Sequence, residues 1–458
     1  MTRRAIAVVL AATVALALIL PWFLGLRAEK LYRSSVERLS DAGYRILQDQ
    51  YQRGWLQSKA LLVIAPNAIS GEEPPRLQIA SRVAHGPLGN QLSRWPPVLA
   101  GARSRVTVIG GPRRLPPLHV RIAVAVGGSI AADLLLPDVT YSGAAGNLHL
   151  VDGRGELRVG VDQDHWSGSG ELPLLQAVDL AGRALALKGL GWRFKLRSLN
   201  AGLPIGELVL TLNGLQLDAA TDQPPLDVAG VTLRLQTAVD AAQVETDAEI
   251  RVDQFRINGA DFAPSRLRMG LNGVDEPSLS ALLDGLRSLD AGDLPETMRG
   301  LAIGALVTES LPDLIARSPR LVLDHLELTT PLGSVTASGH LALSGDDRTM
   351  AGQPTLWTQR LSGGVKVSGP QALVLQMLVR EQRRRIQREL RHRGEPSEPI
   401  PESLEEEVVS AAQAALLSMI RDGWLVSDRG RLSAAAVIGD GLLTLNGKTF
   451  PIIGLTRP

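Results

Sequence analysis

The chain contains no cysteine. That absence excludes disulfides, thiolate catalysis and cysteine-ligated metals together, so packing and hydrogen bonds must hold the fold. Aromatic residues are scarce, at 3%, so apolar surface has to be built from Leu, Val, Ile and Ala between the turns that 46 glycines and 28 prolines supply. A charge excess of either sign is missing as well. Lys and Arg number 48 against 47 Asp and Glu, a net charge of +1, and no global field draws in nucleic acid. The marks of catalysis are also lacking. His85, His119, His149, His165, His325, His340 and His392 are scattered, and there is no H-E-x-x-H, G-x-S-x-G, phosphate-binding loop or dinucleotide fingerprint. No metal, no cofactor, no nucleic-acid partner and no enzymatic activity are expected.

What the chain does have is one long uncharged run, residues 5–26, reading AIAVVLAATVALALILPWFLGL, with Arg3 and Arg4 before it and Arg27, Glu29 and Lys30 after it. About 20 apolar residues at 1.5 Å rise cover a hydrocarbon core of roughly 30 Å, so a membrane-spanning helix is expected. The run exceeds the roughly 7 to 15 apolar residues of a cleaved signal, which favours a retained anchor. Arg3 and Arg4 favour a cytoplasmic N-terminus with the body outside the cytoplasm, although Arg27 and Lys30 weaken the asymmetry.

Behind the anchor, Tyr32, Val36, Leu39, Gly43 and Ile46 share one helical face, an amphipathic helix over residues 28–50 that would cover the end of a sheet. The stretch Tyr51-Gln52-Arg53-Gly54-Trp55-Leu56-Gln57-Ser58 then reads as a turn in which an indole packs and a guanidinium finds acceptors. Arg is no proton shuttle, so a structural role is expected.

From there to about residue 270 the period is two. Leu118, Val120, Ile122 and Val124 alternate with His119, Arg121 and Ala123; Trp192, Phe194 and Leu196 repeat the theme; Leu208, Leu210 and Leu212 are followed by Asn213-Gly214 and then Leu215 and Leu217. Short Gly- or Pro-containing breaks suit antiparallel connections, and nothing long enough for βαβ crossovers intervenes. Asp162, Asp164 and His165 form the one candidate acid/base group. A strand would put His165 on the opposite face from both carboxylates, and a turn is equally compatible with Gly168 and Gly170; structure or surface is the expected role.

Helical periods appear at 278–286 and 295–316, with Pro312 breaking or restarting the second, and strands resume through Leu321, Leu323, Leu326 and Leu328. Two opposed helices follow. Residues 371–393 carry Leu375, Leu378, Val379, Ile386 and Leu390 on one side and Arg380, Arg383, Arg384, Arg385, Arg388, Arg391 and Arg393 elsewhere. Residues 404–420 carry Leu404, Val408, Ala412, Ala415 and Met419, behind Glu402, Glu405, Glu406 and Glu407. A hairpin whose basic arm faces its acidic neighbour is the simpler account; Arg383, Arg384, Arg385 and Arg388 touching anionic lipid or a partner is the sharper one.

Tyr51-x-Arg53-Gly54-Trp55-x-x-Ser58 directly after an anchor resembles the YdgA/YihF-like bacterial envelope proteins, a domain of unknown function. His85-Gly86-Pro87-Leu88, Thr330-Pro331-x-Gly333 and Leu445-Asn446-Gly447-Lys448 add to the resemblance. It implies a Gram-negative inner-membrane protein with a large periplasmic β-rich body, and structural roles for Tyr51, Arg53, Gly54, Trp55, Ser58, His85, Gly86 and Pro87. It carries over no catalytic residue.

The expected fold is mainly β with helical additions (α+β): a transmembrane helix, then a large antiparallel, elongated, groove- or sandwich-like β body with capping helices. The expected order is tip and anchor 1–27, amphipathic helix 28–50, β-rich body 51–275, helical insert 276–318, further strands 319–369, helical hairpin with an acidic and proline-rich linker 370–422, and C-terminal strands 423–458. An apolar sheet face must be covered by sheet, by helices or by something outside the chain. An open groove would bind lipid or a partner protein in envelope maintenance; a closed core would make a structural adaptor.

Overall fold

The computed structural model describes residues 21–30, 32–37, 39–40, 44–66, 76–86, 98–110, 117–125, 127–143, 146–162, 164–179, 182–198, 204–218, 225–291, 296–315, 317–344, 359–392 and 402–452. Most of the expected anchor, Pro87 and Leu88, and the acidic linker lie outside these. Among the described residues no helix is long and apolar enough to cross a membrane. The chain is mainly β, with antiparallel ladders and a few helices, and divides into two units, Met1–Gln223 with Ser280–Thr308 and Pro224–Leu279 with Glu309–Pro458.

Helix α1 comprises residues 21–30, 32–37 and 39–40. It is followed by β1 (Tyr44–Gln52), β2 (Gln57–Pro66), β3 (Arg76–His85), β4 (Val98–Ile109), β5 (Leu118–Ala125), β6 (Ile130–Leu136), β7 (Val139–Gly143), β8 (Gly146–Val151), β9 (Gly153–Val159), β10 (His165–Val178), β11 (Ala184–Ser198) and β12 (Pro204–Asp218). Each of β1 to β5 pairs with the next strand, β6 pairs with β9, and β9 to β12 continue in order; the β7–β8 hairpin adds through β8 to the second half of β10.

Then come β13 (Leu226–Asp240), β14 (Gln243–Ile257), β15 (Ala260–Asp261), β16 (Ser265–Asp275), α2 (Glu276–Ala291), α3 (Glu296–Ile315), β17 (Arg320–Thr330), β18 (Gly333–Leu343), β19 (Leu361–Pro370), α4 (Gln371–His392), α5 (Glu402–Arg421), β20 (Val426–Asp428), β21 (Arg431–Gly439), β22 (Leu442–Leu445) and β23 (Lys448–Pro451). In the second unit β13, β14, β16, β17, β18, β19, β21, β22 and β23 pair in succession.

Several sequence expectations are corrected. Strand β1 begins at Tyr44, so Ile46 belongs to a strand paired with Ile64 rather than to the amphipathic helix. The Asn213-Gly214 step does not break the chain. β12 runs through it, with Gly214 opposite Lys188, while Gly189 of β11 takes φ +59 and leaves its space to the Asn213 side chain. Leu190 therefore faces Leu212 and Leu187 faces Leu215, and the shift in alternation is taken up by both strands at once. Helix α3 runs through Pro312 to Ile315 instead of restarting there. Met419, placed on the apolar stripe of α5, is exposed; Leu416 is buried there beside Val408 and Ala412.

Irregular pairing also keeps Leu321, Leu323, Leu326 and Leu328 together. The register of β17 shifts between Leu323 and Leu326, so Leu323 faces Gly339 and Leu326 faces Ala337. Without that irregularity, strict alternation would send the second leucine pair to the opposite face.

Candidate functional site: apolar sheet faces and a helix-to-hairpin junction

Register, followed strand by strand, gathers the apolar residues of each unit onto one face. In the first unit a rung runs Ser58, Val83, Ala102, Ile122, Ala132, Leu157, Gly168, Phe194 and Leu208 across nine strands. The neighbouring rung includes Val120, Leu134, Gly155, Gly170, Trp192 and Leu210. Glycine is required here by close approach. A Cβ on Gly170 would sit 2.0 Å from the Trp192 ring and one on Gly168 2.7 Å from the Phe194 ring, so the two large aromatics lie flat over the sheet.

In the second unit one rung runs Ala248, Met269, Leu323, Gly339, Val365 and Ala436, and the next Leu271, Leu321, Leu341, Gly363 and Ile438. Six strands at about 4.8 Å spacing make the first of these about 24 Å wide. Gly339 and Gly363 admit no side chain, because an added Cβ would lie 2.4 Å from the Gly364 and His340 carbonyls respectively. They open a depression of about 190 Å³ walled by Leu321, Leu323, Leu341, Val365, Ala436 and Ile438. Leu321 is 43% exposed, and Leu341 and Val365 are each 39% exposed, so this apolar surface faces solvent. The alternate positions are charged: Arg266 pairs with Glu249 at 2.7 Å and Arg268 with Asp324 at 3.4 Å.

The Tyr51-to-Ser58 motif builds a junction between α1 and the first hairpin. On α1, Pro21, Leu24 and Gly25 are buried. Gly25 lies against the imidazole of His85, and Gly86, at φ +74, sits under Leu24 and Pro21. His85 is fully buried at the end of β3. Its amide donates to the Leu56 carbonyl at 2.8 Å, and its Nε2 shares a 2.7 Å hydrogen bond with Ser58 Oγ, itself 1% exposed. Burial pulls the imidazole below its ordinary pKa, so it is neutral at pH 7, and Nδ1 is buried without a partner among the described residues.

Further along α1, the Tyr32 hydroxyl donates to Asp49 at 2.6 Å, and its ring lies 4.9 Å from that of Tyr51. Two of the four tyrosines in the chain thus meet here. Burial, then the Asp49 hydrogen bond, push the Tyr32 phenol well above its usual range. Burial likewise raises Tyr51, although Ser58 acts in the opposite sense; the Tyr51 hydroxyl makes no hydrogen bond of ordinary geometry among the described residues. Arg53 reaches Glu29 at 3.5 Å, which also holds Arg33 at 2.9 Å. Gly54 is needed because a Cβ there would meet the Gln57 carbonyl at 2.2 Å. Trp55 departs from expectation: its indole is not packed but 53% exposed.

The remaining motifs are also structural ties. Thr330 closes the β17–β18 turn, its hydroxyl donating to the Gly333 carbonyl at 2.6 Å. Asn446 takes φ +47 between β22 and β23. Its Oδ1 accepts from the Ala435 amide at 2.8 Å and its Nδ2 donates to the Trp424 carbonyl at 2.8 Å, while Lys448 donates to the Asp422 carbonyl just past α5.

Of the arginine set, Arg383 pairs with Glu405 across the α4–α5 hairpin at 2.7 Å, and Arg388 with Glu381 at 3.2 Å. Arg384 and Arg385 are exposed. The Asp162–His165 group lies in the turn between β9 and β10, with His165 Nδ1 3.1 Å from Asp162 and both side chains more than half exposed. Partial desolvation pushes the Asp162 carboxyl up, but the Asp164 amide and His165 outweigh it and hold it below its usual range.

Sequence reasoning missed Glu29, Tyr32, Asp49 and Gly25 as junction residues, and Gly339 and Gly363 as the floor of the depression. The pairing of scarce tyrosines and the clustering of glycines inside strands were the available signals.

These features define an antiparallel β-sheet protein with an apolar face left open to solvent and a helix locked to its first hairpin. The chain belongs to a family of bacterial proteins of unknown function, DUF945, whose model matches residues 1–452. No curated protein and no solved structure matches it.

Proposed function

We propose that the chain is an inner-membrane-anchored protein of the YdgA/YihF-like type, with its body in the periplasm, whose apolar sheet face binds lipid acyl chains in cell-envelope maintenance. It acts by binding, with no catalytic residue and no cofactor. The observation that carries this reading is the exposed apolar wall of Leu321, Leu341 and Val365 beside a glycine-floored depression. Leaving such surface in water costs about 25 cal/mol per Å², and a non-directional apolar surface without placed polar groups suits an acyl chain better than a polar ligand. The residues 5–26 supply the anchor, and the arginine pairs of α4 serve the helical hairpin first, leaving Arg384 and Arg385 for anionic headgroups.

The test is a photoreactive amino acid placed in the full chain at Leu341 and, as a control on the alternate face, at Lys366. Lipid adducts at position 341 alone support the reading. A protein adduct at 341 points instead to a partner that lays an apolar segment on the sheet, and no adduct at either position favours a scaffold without ligand.

A further inference from the structure

The apolar residues at the junction do not all serve packing. On α1, Pro21, Leu24 and Gly25 turn toward the β body, whereas Trp22 and Phe23 on the other side are 44% and 57% exposed. At the turn between β1 and β2, Trp55 and Leu56 are 53% and 43% exposed. The β1–β2 turn lies near the level of Gly25 on α1. Gly25 touches the His85 ring, and the His85 amide is bonded to the Leu56 carbonyl, so the hairpin turn stands beside the helix at Gly25. Trp22 is three residues, or about 4.5 Å, further toward the apolar run.

That level has a physical meaning in a chain anchored by residues 5–26. Twenty residues counted from Ala5, at the rise expected of a membrane-spanning helix, match a hydrocarbon core of about 30 Å at Leu24. Trp22, Phe23, Trp55 and Leu56 then fall at the boundary between hydrocarbon and headgroups, where indole rings are favoured, with Arg27 and Arg53 just beyond them. We infer that the β1–β2 turn is a second membrane contact: Trp55 and Leu56 insert into the lipid interface beside the anchor and fix the orientation of the first unit on the bilayer. The exposed indole of the Tyr51-to-Ser58 motif, unexplained by packing, is explained by lipid. Two contacts joined by the buried Ser58–His85 and Gly25–His85 contacts hold a direction that a single helix crossing leaves free.

This inference rests on the anchored reading above, and the absence of cysteine makes both separately testable. Single cysteines are introduced in the full chain as Trp55→Cys, Ala12→Cys and Ile109→Cys, labelled with nitrobenzoxadiazole, and the protein is reconstituted into phosphatidylglycerol–phosphatidylethanolamine vesicles containing dibrominated acyl chains. Ile109 is an exposed apolar residue nine positions along β4 from Ala100, the partner of His85, and so about 30 Å from the junction level. The expected result is a blue shift and bromine quenching at positions 12 and 55, with neither at 109. Quenching at 12 but not at 55 overturns the inference and leaves the anchor standing. No quenching at any position overturns both, and quenching at all three marks general adsorption and also overturns the oriented contact.

Discussion

At the scale of single residues, the junction turns on a few polar atoms taken out of water. Ser58 gives buried His85 its one side-chain hydrogen bond among the described residues, so Ser58→Ala orphans Nε2 and should cost about 1–3 kcal/mol, read as a lower melting temperature of the first unit. The same histidine sets a pH dependence. Its folded pKa lies below the unfolded value of about 6.5, so the unfolded chain binds more protons beneath that pH. The His85 contribution to stability is expected to be constant well above about pH 6.5 and to fall as pH drops through and below it, a slope that His85→Gln removes; urea titrations across acidic to neutral pH measure it. The sequence assigns Ser58, His85 and Gly86 an expected structural role, and the structure places all three in the buried junction. It did not reveal that Ser58 and His85 touch each other, because 27 residues separate them and only pairing of β2 with β3 brings them together.

At the scale of elements, short ties decide where helices end and strands turn. Asn446 satisfies the Ala435 amide and the Trp424 carbonyl while occupying a left-handed conformation. Asn446→Ala should therefore destabilise the C-terminal strands by about 1–3 kcal/mol and raise amide exchange at β21 and the end of α5. The Arg383–Glu405 pair is half exposed, and a double-mutant cycle should return only about 0.2–1 kcal/mol. The α4–α5 hairpin depends more on Leu390, Val408, Ala412 and Leu416, all buried. Helical periodicity named three of these four. Met419 was misplaced because the buried stripe steps by four through Val408, Ala412 and Leu416, whereas the expected stripe stepped by three to Ala415 and so turned off it.

At the scale of the whole molecule, function follows from which face of each sheet stays open. Val365→Asp puts a charge on the exposed wall of the depression without filling a core, so it should leave the circular dichroism spectrum unchanged while abolishing lipid crosslinking at Leu341; Lys366→Asp, on the alternate face, should change neither. Elements were readable at this scale because side-chain direction alternates with period two within any strand, a local property that needs no partner. The antiparallel β class and most strand positions were thus determined by the sequence alone, as was the exclusion of disulfides that follows from having no cysteine. Tertiary structure alone decided the rest. Register between strands aligns Leu323 with Gly339 and Val365, the irregularity in β17 keeps four leucines on one side, and the meeting of α1 with the first three strands joins Glu29 to Arg53 and Gly25 to His85. Those outcomes depend on hydrogen bonds and close approaches between segments far apart in the chain, which local periodicity does not encode.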